Sequence, residues 1–266
     1  MEALASKNYN NQKTNKNQPI KNNKHMKLLK SITVLVFLLS TTLSCAQWGN
    51  GEKRKGNGDI TIATRSTGSY EGLKAAGSID FNLVEGKEGE ISIKGDANLM
   101  EYIITEIKNN KLVVKVKDGI TLKPSQSIVV TIPYESISSV SLAGSGDIKN
   151  SGTIKADEFK VSLAGSGDIK LSVSSQSLES SISGSGEIEL KGFAKNLTTN
   201  IAGSGDFNGK SLESTNVSAR IAGSGSADVV CNGKLIARIS GSGDLNYSGT
   251  PVSKDTKVSG SGSVSN

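Results

Sequence analysis

Acidic side chains recur at one regular place in this sequence: Asp147, Asp168, Glu187, Asp206 and Asp244 each follow directly on a Gly-Ser-Gly tripeptide. Carboxylates brought close together in a column repel one another unless they are spaced, neutralised or bridged by a hard cation such as calcium. The pattern is superficially similar to Gly-Gly-x-Gly-x-Asp calcium repeats, but those recur about every nine residues. Here one acid follows each of five tripeptides that begin at positions 144, 165, 184, 203 and 241. Solvated acids, relieved by Lys149, Lys170 and the serines that replace the acid at Ser226 and Ser263, are the expected arrangement. The five acids stand as weak metal candidates beside it.

Other reactive groups are few. The cysteines are Cys45 and Cys231, and the single histidine is His25. Without the first 46 residues no histidine remains, which excludes Ser-His-Asp and Cys-His nucleophile systems and every His-based zinc site. No pair of carboxylates stands apart from the repeat, as a glycosidase needs. No Lys-Ser/Thr follows the glycines, so they are not phosphate loops. The reading is a non-enzyme with no catalytic residue and no cofactor. Cys231 is expected to be a small buried residue without a disulfide partner.

The first 46 residues read as a leader. Residues 1–25 are rich in Asn and Lys, and are taken as an over-called start or an extended n-region. Residues 26–46 form a signal peptide: Met26-Lys27-Leu28-Leu29-Lys30 precedes an apolar run over 32–43, too short to span a bilayer. Two processings fit, cleavage after Ala46 or lipidation of Cys45; the second would tether the chain to a membrane through its N-terminus. The chain has 31 basic and 25 acidic residues; seven Lys and Glu2 belong to the leader, leaving 24 of each sign. With no excess of positive charge and no evident basic cluster, nucleic acid is set aside as a partner.

What positions the acids is a repeat. Gly-Ser-Gly begins at residues 144, 165, 184, 203, 223, 241 and 260, and a period of about 20 marks a stacked solenoid. Two residues before each first glycine stand Leu142, Leu163, Ile182, Ile201, Ile221, Ile239 and Val258. Four residues after it stand Ile148, Ile169, Ile188, Phe207, Ala227, Leu245 and Val264. In an extended chain these positions share one face, which must point inward, and by the same parity both glycines are expected to face in. The serine between them and the acid after them point outward. Each coil then has at least two short strands, and coils must stack to bury their apolar face.

Residues 47–57 read as a flexible N-terminus and 58–136 as a hairpin-like β region that caps the repeat solenoid of 137–266. The stretch 58–266 is taken as one continuous domain. Strands are expected over 59–64, 78–84, 90–94, 111–117 and 127–133. Residues 97–107 admit one short helical turn, although Ile103, Ile104 and Thr105 favour strand there.

Four features together resemble the head GIN domain family of auto-transporter adhesins, common in secreted and lipoprotein chains of Bacteroidetes. They are Gly56-Asn57-Gly58, Ala76-Gly77-Ser78-Ile79-Asp80-Phe81, Thr105-Glu106-Ile107 ahead of Leu112, and the serial Gly-Ser-Gly-Asp repeat. The resemblance spans residues 55–266. It implies an all-β, right-handed, single-stranded β-helix and a surface role. The expectation is therefore an exported adhesin or interaction scaffold at the outer membrane or cell surface, in the periplasm or outside the cell. Its ligand would be a glycan or a protein, and its oligomeric state is open. A calcium- or carbohydrate-binding solenoid is the alternative, with a polysaccharide-active enzyme behind it.

Overall fold

Strand alternation on both sides of every Gly-Ser-Gly is what winds this chain. The computed structural model describes residues 51–266, which form one unit. Parallel coils of about 19 residues stack into a β-solenoid of about seven turns. The leader and both processing sites lie outside the described residues. Each coil has an upstream strand that runs into the Gly-Ser-Gly turn and a downstream strand that leaves it. In the middle coils the chain stays extended around the corner, giving the long strands Asp168–Gly184, Glu187–Gly203 and Asp206–Gly223.

The stacking is parallel and in register. Leu142 pairs with Leu163, Leu163 with Ile182, Ile182 with Ile201, Ile201 with Ile221 and Ile221 with Ile239. These side chains are buried, as are Ile148, Ile169, Ile188, Phe207, Ala227 and Leu245 on the downstream side. Fully burying one such side chain contributes about 1.5–3 kcal/mol, so the inner columns dominate the stability of the stack. The last coil is more open, with Val258 39% exposed and Val264 partly buried.

The two glycines of each turn do not share a fate. The second is buried at Gly146, Gly167, Gly186, Gly205, Gly225 and Gly243, but the first lies at the surface. The expected inward placement of both is corrected here for a physical reason. The first glycine takes φ between 124° and 140° throughout, which interrupts the alternation by which parity was counted.

The repeat begins earlier than its tripeptide. Strands Gly72–Gly77 and Asp80–Glu85 form a coil of their own, with Gly77 beside Gly144 and Phe81 beside Ile148. Between this coil and the next come the capping strands. Lys111–Val116 pairs with Gly72–Gly77, and Ile103–Lys108 closes onto it as a hairpin whose turn residues Asn109 and Asn110 have φ of 51° and 59°. Two central residues with positive φ suit the right-handed twist of a hairpin, and Asn tolerates that region. On the other side Val129–Tyr134, Glu90–Asp96 and Ile60–Ser66 add successive strands. Residues 97–107 realise both readings in turn: a 3-10 helix over Ala97–Tyr102, then strand Ile103–Lys108. Residues 52–55, read as part of a flexible lead-in, are corrected to strand Glu52–Lys55, because Ile120–Lys123 offers a parallel edge.

Candidate binding face

The five acids do form a column, and the column has structural work. It starts at Asp80 and continues through Asp147, Asp168, Glu187 and Asp206, one per rung, on the downstream side. A carboxylate oxygen of each Asp accepts the backbone N–H of the next rung: Asp147 N to Asp80 at 3.2 Å, Asp168 N to Asp147 at 3.3 Å and Glu187 N to Asp168 at 3.3 Å. Where serine replaces the acid, its hydroxyl joins in. Ser226 donates N–H and Oγ–H to Asp206 at 2.8 and 2.6 Å, and Ser263 does the same to Asp244 at 2.8 and 2.7 Å. Each donated proton offsets the repulsion along the column. Lys170 reaches Glu189 at 3.5 Å rather than the ladder itself. Among the described residues no group of three or more His, Cys, Asp or Glu is arranged to hold a metal ion. Cys231 is buried, with its Sγ 3.6 Å from the Thr215 carbonyl, and burial pushes its thiol up.

The Gly56-Asn57-Gly58 motif is a clamp. Asp96 is fully buried and accepts the Gly58 N–H at 2.7 Å, the Ser125 N–H at 2.8 Å and the Ser125 hydroxyl at 2.7 Å. The Ser125 hydroxyl, together with the backbone N–H groups, holds this carboxyl below its ordinary range. Asn98 completes the clamp by accepting the Asn57 N–H and donating to the Lys55 carbonyl.

The open feature is the outer surface of the upstream strands. Here a groove of about 780 Å³ runs along the stack from Lys74 to Lys257. Its floor is made by the residues three and one before each first glycine, which alternation turns outward. The first column reads Lys74, Ser141, Ser162, Ser181, Asn200, Arg220, Arg238 and Lys257 in consecutive register. The second is small throughout, with Ala143, Ala164, Ser183, Ala202, Ala222 and Ser240. Neither column contains a carboxylate. Lys115 continues the second column beyond Ala76 at the capped end. The reading that the folded part lacks a basic cluster is therefore corrected: stacking lines up cations that are scattered in sequence. The column from Ser141 to Lys257 could be found by counting three residues back from each tripeptide. Lys74 could not, because Ile79 hides its coil.

The comparisons agree with this architecture. The family model of the "Putative auto-transporter adhesin, head GIN domain" matches residues 69–251. Among curated proteins none matches the sequence. The fold is similar to a putative adhesin of Bacteroides fragilis, at 19% identity and TM-score 0.74, covering 80% of this chain and 99% of that one. A putative adhesin of Parabacteroides merdae is 26% identical with TM-score 0.65, over 80% of this chain and 98% of the other. A protein of Parabacteroides distasonis described as a putative lipid binding protein is 23% identical with TM-score 0.65, over 80% and 99%. With most of its repeat and cap inside the matched span, the chain belongs to the family of putative auto-transporter adhesins with a head GIN domain.

Proposed function

We propose that this chain is an exported, non-catalytic adhesive module of the cell envelope that binds its ligand along the upstream groove. Membership of an adhesin family supports a surface or exported module of adhesin type. The observation that carries the binding role is the groove itself, which is long and whose two floor columns turn away from the core. By contrast, the ladder acids are engaged in bonds between coils, a structural use that leaves little for chemistry. Export follows the leader: either release after Ala46 or a lipid on Cys45 delivers the solenoid outside the cytoplasm, and a lipid would hold it at the surface.

The test uses the native host. Intact cells are treated with protease and fractionated, the mature protein is weighed, and a deletion strain is compared for attachment to glycan- and protein-coated surfaces. The expected result is a protease-accessible protein and weaker attachment of the deletion strain, restored by the complete gene. A protein retained in the cytoplasm, or unchanged attachment on every surface, refutes the proposal.

A further inference from the structure

We infer that the groove takes an extended acidic polysaccharide, laid along the solenoid axis across the rungs. This deepens the adhesive reading and rests on it. The charge distribution of the face is the first argument. Lys74, Arg220 and Lys257 are exposed and, among the described residues, have no carboxylate within salt-bridge distance. Arg238 pairs with Asp255 at 2.6 Å at the edge of the groove. The two floor columns contain cations and no acid, although basic and acidic residues outside the leader balance at 24 each. The ladder acids of the same coils stand beyond the turn, on the downstream side, while Glu179 and Asp255 on the upstream strands are paired with Lys160 and Arg238.

Spacing sets the shape of the ligand. Lys74 and Arg220 are five rungs apart, or about 24 Å, and Lys74 and Lys257 are seven rungs apart, or about 34 Å. No small anion reaches both ends, so a ligand that uses them is a chain with charges at intervals. Between the ends lie Ser141, Ser162, Ser181 and Asn200, neutral groups that both donate and accept hydrogen bonds. A hydroxyl or amide on every rung, about 4.8 Å apart, suits a polymer that advances by nearly one rung per sugar unit. An extended peptide rises about 3.3 Å per residue with alternating side chains and falls out of step with the rungs.

The floor has no aromatic side chain. Single-stranded nucleic acid is commonly held by stacking its bases on such rings, and a neutral sugar face also packs on them. This groove offers a neutral glycan small methyl and hydroxyl groups, the Asn200 amide and the cationic donors, but no ring to pack on. Charge must supply the affinity, which makes binding salt-dependent.

The experiment uses the chain without its leader, residues 47–266. Binding is measured to polygalacturonate, chondroitin sulfate and dextran sulfate, and to fully methyl-esterified pectin, which keeps the polygalacturonate backbone without its charge. Poly-glutamate, single-stranded DNA and phosphatidylglycerol vesicles form the remaining arms. The expected result is binding to at least one acidic glycan that weakens with salt and is lost on esterification. The double variant R220E/K257E weakens it about tenfold or more, since two exposed cations become anions. Asn200→Lys strengthens it, and Lys155→Glu, on an exposed position outside the groove, leaves it unchanged. Thermal melting shows that each variant folds. Failure to bind any acidic glycan overturns the inference. So does equal binding of the esterified polymer, which leaves a groove that takes neutral chains. Preference for poly-glutamate, DNA or vesicles, with the same loss in R220E/K257E, overturns the ligand class and keeps the groove. Attachment by the deletion strain is a separate readout, and its failure removes the adhesive function whatever the glycan result.

Discussion

Replacing the second glycine of a central turn isolates how closely the coils approach. At Gly186 an added methyl carbon would overlap the Gly167 carbonyl oxygen of the preceding coil and lie 2.7 Å from Leu163 Cδ2. Relief requires the rungs, spaced about 4.8 Å, to open locally by roughly 1 Å. That separation strains the bonds from Ser185 N (2.9 Å) and Gly186 N (3.1 Å) to the Gly165 carbonyl. Two such bonds at about 1 kcal/mol each, with overpacking of about 1–3 kcal/mol, put Gly186→Ala near 3–5 kcal/mol of destabilisation. For a folded unit of this length the melting midpoint should fall by about 6–20 °C. Two further variants separate clash from backbone strain. Gly58, with φ of 81° and nothing within 4 Å of the added carbon, tests strain alone, of order 1 kcal/mol. Gly184, with φ of 127° and the Gly165 carbonyl in the way, combines both and should be the worst of the three. Thermal and urea unfolding followed by circular dichroism measure the series. A Gly186→Ala protein within experimental error of wild type would refute the claim that carbonyl proximity fixes the rung.

The clamp carboxyl predicts a pH dependence. Its ionised form is favoured in the folded chain, so its stabilisation is complete above the unfolded value of about 3.9 and fades as pH falls through its lower folded value. Asp96→Ala should therefore unfold at lower urea than wild type at pH 7, with the gap narrowing in acid; a gap that persists below the carboxylate range contradicts this. The acid ladder is expected to work without metal, so melting temperature should be the same in calcium and in chelator, and a marked rise with calcium would restore the metal reading. Asp244→Ala leaves Ser263 N and Oγ without their acceptor and should lower stability by about 1 kcal/mol. Because stability in a solenoid is carried between neighbouring coils, removing residues 185–203 joins Gly184 to Ser204 in register and should leave a folded, shorter stack. Removing only residues 185–194 breaks the stacking, and a melting profile equal to that of the whole-coil deletion would count against nearest-neighbour assembly.

Much of this molecule is legible from residue order, and the exceptions have identifiable causes. The columns of Leu142, Leu163 and Ile182 and of Ile148, Ile169 and Ile188 follow from counting parity outward from a tripeptide. Parity fails at Gly144 and its equivalents because a positive φ there resets which side faces in. The coil at Gly77 escapes periodicity because the capping strands separate it from Gly144, its spatial neighbour, and because Ile79 stands where the repeat has glycine. The pairing of Glu52–Lys55 with Ile120–Lys123 joins segments far apart in sequence that carry no common motif. The acids of the ladder recur more regularly than any other reactive group, yet they bind the next coil's backbone. The groove was less visible because its charged members differ in type from rung to rung.

Stacking divides labour between the two parities of each strand. Inner positions are constrained: Ile182, Ile201, Ile221 and Ile239 succeed one another with little change because each fills the same slot against its neighbour. The outer position beside each of them changes freely, from Ser181 to Asn200 to Arg220 to Arg238, since nothing in the core depends on it. A solenoid thus lets surface chemistry vary rung by rung while the frame fixes its spacing. That spacing depends on the glycine turns. Each first-glycine carbonyl from Gly77 to Gly241 accepts the serine N–H of the next coil, and most also accept the second-glycine N–H, which locks one coil to the next. The residues that set binding and those that set stability are therefore different, but they are not independent. A central coil opened by a bulky turn residue would shift Arg220 relative to Lys74 along the axis, disturbing a long ligand that spans both more than a short one held at either end.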